Sequence, residues 1–163
     1  MTYELRPIRA DDLLSITGIY NAARESTRGT RSWDVSEMKQ FLFASRPSIE
    51  GYACVDGDAV VGWSALTRHH AGEGLKHTAE MSLYVQEDLR RRGIGALLAN
   101  TLLERAPTLN LHCILALALK DTPDVLSFAQ IKCGFSVAGC IPELFSDGER
   151  HYDIVVFEKL IRL

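Results

Sequence analysis

At 163 residues, 47% of them hydrophobic, the chain is one domain's worth of sequence with enough apolar content for a sizeable core. No apolar run approaches a membrane-spanning length, and the start, Met1-Thr2-Tyr3-Glu4, has no basic stretch followed by an apolar one, so a cytoplasmic protein is expected. A net charge of −3 gives no global attraction to nucleic acid or to an anionic membrane, so the basic residues must act locally if they act at all.

In chain order, Tyr3 to Ile8 alternates like a short strand, with Pro7 marking an edge or an end. Asp11 is the predicted cap of a helix whose apolar face is Leu13, Leu14, Ile16, Ile19, Tyr20 and Ala23. The polar stretch from Arg24 to Trp33 reads as a loop. A second helix is expected from Ser36, burying Met38, Phe41 and Leu42 before Arg46-Pro47 ends it. Tyr52–Val55 and Ala59–Leu66 are predicted strands joined at Asp56-Gly57-Asp58, a strong hairpin signal. Arg68 to Lys76, with His69, His70, Gly72 and Gly74, reads as a loop.

Glu80–Val85 alternates, with Met81, Leu83 and Val85 on one face and Glu80, Ser82 and Tyr84 on the other. A helix follows, built on Ile94, Leu97, Leu98, Thr101 and Leu102 and stopped at Pro107. His112–Leu119 is almost continuously apolar, as expected of a strand covered on both faces. Asp121 or Thr122 is expected to cap a helix that has Pro123 in its first turn and runs to Lys132, where Gly134 stops it. Strands Phe135–Ile141 and Tyr152–Glu158 complete a mixed α/β arrangement in one domain spanning residues 1–163. Cys54, Cys113, Cys133 and Cys140 have no CxxC spacing and read as buried free thiols.

Arg90, Arg91 and Arg92 stand where the helix dipole is positive, a local conflict that an anion would resolve. The helix start supplies unpaired N–H groups, and Gly93 and Gly95 remove side chains that would keep a ligand off them, so the stretch reads as a pyrophosphate cradle. The alternative is a solvated arginine face on a glycine-loosened turn. A dinucleotide fingerprint would need glycine at Leu98, and the lysine of a P-loop is absent.

Arg90-x-x-Gly93-x-Gly95 after Leu83-Tyr84-Val85 resembles the acyl-CoA loop of the GNAT superfamily of N-acetyltransferases, and the order of elements resembles that fold from end to end. Ile19-Tyr20-Asn21, Val60-Val61-Gly62-Trp63, Thr78-x-Glu80 and Gly134-Phe135 are similar to the phosphinothricin acetyltransferase group within it. The resemblance implies a central mixed, mostly antiparallel sheet flanked by helices, acetyl-CoA as cosubstrate without a metal, and a homodimer. It assigns Leu83, Tyr84, Val85 and Arg90, Arg91, Arg92, Gly93, Ile94 and Gly95 to the cofactor, with the Val85 N–H facing the thioester carbonyl. It makes Glu80, which matches the glutamate of the Thr-x-Glu motif, the candidate general base. Without that match an exposed, solubilising strand glutamate is the simpler reading.

Pro123 and Gln130 replace the asparagine and histidine of the pattern, which leaves the acid for the leaving thiolate unassigned among Ser127, Cys133, solvent or none. His69, His70 and His77 share one loop, but no fourth ligand of suitable spacing accompanies them, so no metal is expected. Arg28, Arg31 and Trp33 are candidates for binding an acceptor carboxylate, and Asp153 for lining the acceptor pocket. The expected activity is acetylation of a small primary amine, an amino acid or amino-acid-like antimetabolite. The alternatives are a peptide N-terminus or lysine as acceptor, and a CoA-binding regulatory domain without turnover.

Overall fold

Alternation along the predicted strands is what lets a single sheet carry two different faces. The computed structural model describes residues 2–26, 32–44, 48–69 and 72–162. Its strands are β1 (Tyr3–Pro7), β2 (Ser48–Asp56), β3 (Ala59–Arg68), β4 (Thr78–Val85), β5 (Cys113–Leu119), β6 (Ser136–Ser146) and β7 (His151–Leu160). They form a seven-stranded sheet in the order β1-β2-β3-β4-β5-β7-β6. Every neighbouring pair is antiparallel except β4 and β5, which run parallel. The helices are α1 (Leu13–Ser26), α2 (Val35–Lys39), α3 (Ile94–Arg105) and α4 (Pro123–Ser127). This is the mixed, mostly antiparallel arrangement that the sequence predicts.

The two faces of β3 and β4 bury different helices. Trp63 and Ala65 pack with Leu13, Ile16 and Tyr20 of α1 and with Met38 and Leu42 on the other side of the loop. On the opposite face, Val61 and Val85 meet Ile94 and Leu98 of α3, while Met81 joins Ala99 and Leu102. Gly62 is the contact point of that second layer. A Cβ there would lie 3.2 Å from the Tyr84 carbonyl oxygen and 3.3 Å from both Ile94 Cγ2 and Leu98 Cδ1, so the absence of a side chain is what seats α3 on the sheet.

Several boundaries differ from those predicted. Asp12, not Asp11, organises the start of α1: it is buried, accepts the Arg9 N–H at 2.7 Å, and is gripped by both terminal nitrogens of Arg6 at 2.7 and 2.9 Å. Asp34 caps α2 reciprocally with Glu37, so the helix begins at Val35, one residue ahead of the expected start at Ser36. Both short helices widen into single π turns, Gln40–Ala44 after α2 and Phe128–Lys132 after α4. β6 runs on past Ile141 to Ser146 because it is an edge strand, where Pro142 removes no ladder bond that a central strand would need. Of the four thiols, Cys54, Cys113 and Cys133 are buried and Cys140 is exposed.

The Arg6 hydrogen bond is the main reason the Asp12 carboxyl sits below the usual aspartate range. A lowered folded-state value means that the stabilisation is complete above the unfolded value of about 4 and is lost as pH falls through the lower, folded one. At pH 7, Asp12→Asn should therefore lower the unfolding free energy by about 2 kcal/mol. Urea titrations at a series of pH values should show that gap closing below pH ~4.

Candidate active site

The pairing of β4 determines where its backbone is free. Gln86 N–H donates to Val61 O at 2.9 Å and His69 N–H to Thr78 O at 3.4 Å, which places Thr78, Glu80, Ser82 and Tyr84 in the hydrogen-bonded register with β3. The alternate residues Ala79, Met81, Leu83 and Val85 thus turn their main-chain groups towards β5. β5 accompanies β4 only through Thr78↔Cys113, Ala79↔Ile114 and Glu80↔Leu115. Beyond Glu80 the parallel strands part, and the N–H groups of Leu83 and Val85 face the gap.

The segment after β4 continues the gap's edge. Arg90 Nε reaches back to Val85 O at 3.4 Å, tying the turn to the strand end. Arg91 has φ 63°, a left-handed conformation rare for a residue with a side chain, and Gly93 has φ 84° at the position that precedes α3. A Cβ at Gly93 would meet nothing within 4 Å, so backbone conformation is what requires glycine there, and the space beside it is open. At Gly95 the reason differs: a Cβ would come within 3.0 Å of Phe128 Cζ. The unpaired N–H groups of the first turn of α3, with Arg90, Arg91 and Arg92 exposed around them, suit a phosphate-bearing ligand. Ile94 contributes only its backbone, since its side chain is buried under the helix. Arg91 also lies 3.6 Å from Asp124, but both side chains are exposed and such a pair contributes little.

On the other face of β4 lies a cavity of about 210 Å³ lined by Tyr20, Trp33, Phe41, Trp63, Thr67, Glu80, Ser82 and Tyr84. Its rings touch in sequence: Trp63 stacks on Tyr84 at 5.2 Å, Tyr84 meets Tyr20 at 5.1 Å, Tyr20 meets Trp33 at 4.7 Å, and Trp33 meets Phe41 at 5.6 Å. Glu80 is the only carboxylate among the described lining residues. The site therefore joins a main-chain gap suited to an extended ligand and a small aromatic cavity lined by the Glu80 carboxylate, with β4 forming a wall of both.

Residues 15–135 match the Acetyltransferase (GNAT) family. The chain belongs to the GNAT acetyltransferase family. An L-methionine sulfoximine/L-methionine sulfone acetyltransferase of Pseudomonas aeruginosa is 29% identical to it over 97% of this chain and 94% of its own length. The crystal structure of a GNAT superfamily phosphinothricin acetyltransferase from Sinorhizobium meliloti, in complex with AcCoA, has TM-score 0.86 at 22% identity, covering 99% of this chain and 89% of that one. A ribosomal-protein-alanine N-acetyltransferase from Brucella melitensis has TM-score 0.89 at 23% identity, covering 97% and 99%. The structural likenesses establish the GNAT fold.

Within this GNAT enzyme the expected site residues fall into separate places. Leu83 and Val85 border the gap, whereas Tyr84 exchanges its main-chain bonds with β3 and turns its ring into the aromatic cavity. Trp33 is in the cavity wall. Arg28 and Arg31 lie outside the described residues. Asp153 lines a second hollow of about 430 Å³ with Lys120, Asp121, His151 and Tyr152, where it accepts the Glu143 N–H at 2.9 Å and lies 3.9 Å from Lys120. Ser127 and Gln130 are exposed, and burial pushes the Cys133 thiol up to about 11.

Sequence reasoning missed Trp63, Thr67, Tyr20 and Phe41 as site residues. The register of the β3–β4 hairpin, which sets Trp63 opposite Tyr84 and Thr67 opposite Glu80, is the signal that finds the first two. The role of Asn21 was equally hidden: its amide accepts the Trp33 N–H at 2.9 Å and donates to Trp33 O at 2.8 Å, clamping the residue that walls the cavity. Asn21→Leu should free Trp33 and raise the acceptor KM about tenfold, equivalent to one lost hydrogen-bonded anchor. Acetyl-CoA binding measured by calorimetry should be unchanged in that variant.

Proposed function

We propose that this GNAT acetyltransferase moves the acetyl group of acetyl-CoA to the primary amine of a small amino-acid-like molecule, with Glu80 as general base. The observation that carries the reading is the position of Glu80, in a small walled cavity on the strand whose free edge presents the Leu83 and Val85 amides. The names of the relatives support the acceptor class: one acts on methionine sulfoximine and sulfone, another is a phosphinothricin acetyltransferase. A cavity of about 210 Å³ is below the ~300–1,000 Å³ usual for ligand pockets, which favours a compact acceptor over a peptide N-terminus or a protein lysine.

Acetyl-CoA, when bound, supplies the thioester and its leaving thiolate. The parted edge of β4 offers backbone partners to the cofactor's extended arm at Leu83, and the Val85 N–H is the donor available to a carbonyl oxygen gaining negative charge. Arg90, Arg91, Arg92 and the N–H groups from Gly93 to Gly95 hold the pyrophosphate. Glu80 removes a proton from the acceptor ammonium, leaving a neutral nucleophile. Trp33 orients the acceptor and Arg28 and Arg31 are assigned to its carboxylate by their chemistry, whereas Asp153, in the second hollow, is left out of the acceptor site. No side chain is assigned as acid for the thiolate. The reading includes a single domain over residues 1–163, a cytoplasmic location and a homodimer, the last supported by Val137 and Leu144 exposed on edge strand β6.

With L-methionine sulfone and phosphinothricin as acceptors, Glu80→Gln should lower kcat by about 10²–10⁴-fold, the usual contribution of a general base. Its affinity for acetyl-CoA should match that of the wild type. A regulatory CoA-binding domain would instead bind acetyl-CoA and release no CoA with any amine. Unchanged turnover in Glu80→Gln would remove Glu80 from the role.

A further inference from the structure

The proton that Glu80 takes in each turnover has to leave again before the next acceptor can be served. Tyr20, Trp33, Phe41, Trp63 and Tyr84 line the cavity with rings, and Thr67 and Ser82 are the other described lining residues besides Glu80. None of these is a base at neutral pH. One imidazole stands beside the carboxylate outside that lining: His69 Nδ1 lies 3.6 Å from Glu80 Oε2, with side-chain exposures of 38% for His69 and 32% for Glu80.

The fold builds this pair. Thr67 is the cross-strand partner of Glu80, so His69, two residues further along the same edge of the hairpin, is the diagonal neighbour on the same face. The His69 N–H donates to Thr78 O at 3.4 Å, which extends the β3–β4 ladder to the residue that carries the ring. Among the described residues, the titratable groups facing Glu80 are His69 from the end of β3, Tyr84 from β4 itself and Tyr20 from α1. Imidazole is the one of these that accepts and gives up protons readily near neutral pH.

We infer that His69 relays the acceptor's proton from Glu80 to solvent, and so is a positioning residue that acts on the substrate only through Glu80. The inference rests on Glu80 being the general base. The ammonium N–H bond breaks and its proton passes to the Glu80 carboxylate, leaving the amine lone pair free to attack. Glu80 then gives a proton to Nδ1 of the Nε2–H tautomer, the resulting imidazolium sheds its Nε2 proton to water, and proton exchange with water returns the ring from its Nδ1–H to its Nε2–H form, so that carboxylate and relay are both restored. At 3.6 Å the two groups are at ion-pair separation, and a small turn of the half-exposed ring or one bridging water completes the path.

The test is steady-state acetyl transfer across a panel of amines that includes L-methionine sulfone, phosphinothricin and the common amino acids. His69→Ala should lower kcat about tenfold with the KM for acetyl-CoA unchanged, and free imidazole should restore the rate saturably. His69→Gln keeps a hydrogen-bonding side chain without a relay and should be as slow as His69→Ala. The double variant with Glu80→Gln should be no slower than Glu80→Gln alone, and imidazole should not rescue it. Wild-type kcat in His69→Ala or His69→Gln, no rescue by imidazole, or additive losses in the double variant would overturn the relay while leaving the transferase reading intact. A folded wild type that acetylates no amine of the panel, or a fully active Glu80→Gln, would overturn the reading beneath it instead.

Discussion

β4 loses its parallel partner after Glu80, and the rest of the site depends on that parting. A strand inside a sheet normally uses both edges of its backbone, and leaving polar groups unpaired in the interior is costly. Here β5 stops accompanying the strand, so the Leu83 and Val85 N–H groups that a continuing β5 would satisfy are available to a ligand. Their direction follows from the antiparallel pairing with β3: once the even-numbered residues are bonded across that hairpin, Leu83 and Val85 can only face the gap. The end of β4 leads directly into the turn at Arg90 and the start of α3. One ligand can therefore touch strand, turn and helix in succession.

Alternation divides the work of β4 between its faces. Met81 and Val85 anchor the strand to α3, which keeps the helix start in register with the strand end. Glu80, Ser82 and Tyr84 project to the side covered by α1 and α2, where aromatic rings wall a small volume around one carboxylate. A one-residue slip of the β3–β4 hairpin would exchange these roles and destroy both sites together. Gly62 and Trp63 illustrate how tightly the two layers are tied: adjacent residues of β3, one lets α3 approach and the other is buried in the wall of the aromatic cavity.

Much of this was legible in the residues themselves. The alternation from Glu80 to Val85, the hairpin at Gly57 and Gly93 before α3 are local features, and local geometry reproduces them. The reason for Gly95 was not legible, because it lies in the approach of Phe128 from a distant helix. Likewise, nothing near Cys113 or His151 in sequence states that β7 inserts between β5 and β6, since strand order is decided by non-local packing. The cavity was hidden for a similar reason. Tyr20 and Phe41 carry ordinary helical core spacing, and only the docking of α1 and α2 over β3 and β4 turns them into walls around Glu80. Asn21 belonged to a recognisable motif, yet its clamp on Trp33 joins residues twelve apart in sequence, a pairing no periodicity encodes.

The central claim is that the parted edge of β4 and the first turn of α3 together receive acetyl-CoA. The most direct measurement is a titration of the ¹⁵N-labelled protein with acetyl-CoA, following each backbone amide by NMR. The account predicts that the largest shifts fall on Leu83, Val85 and residues 92–96, with Glu80, Ser82 and Tyr84 amides, bonded across to β3, moving least along the strand. Shifts confined to the second hollow around Lys120 and Asp153, or equal shifts on both sets of β4 amides, would contradict it.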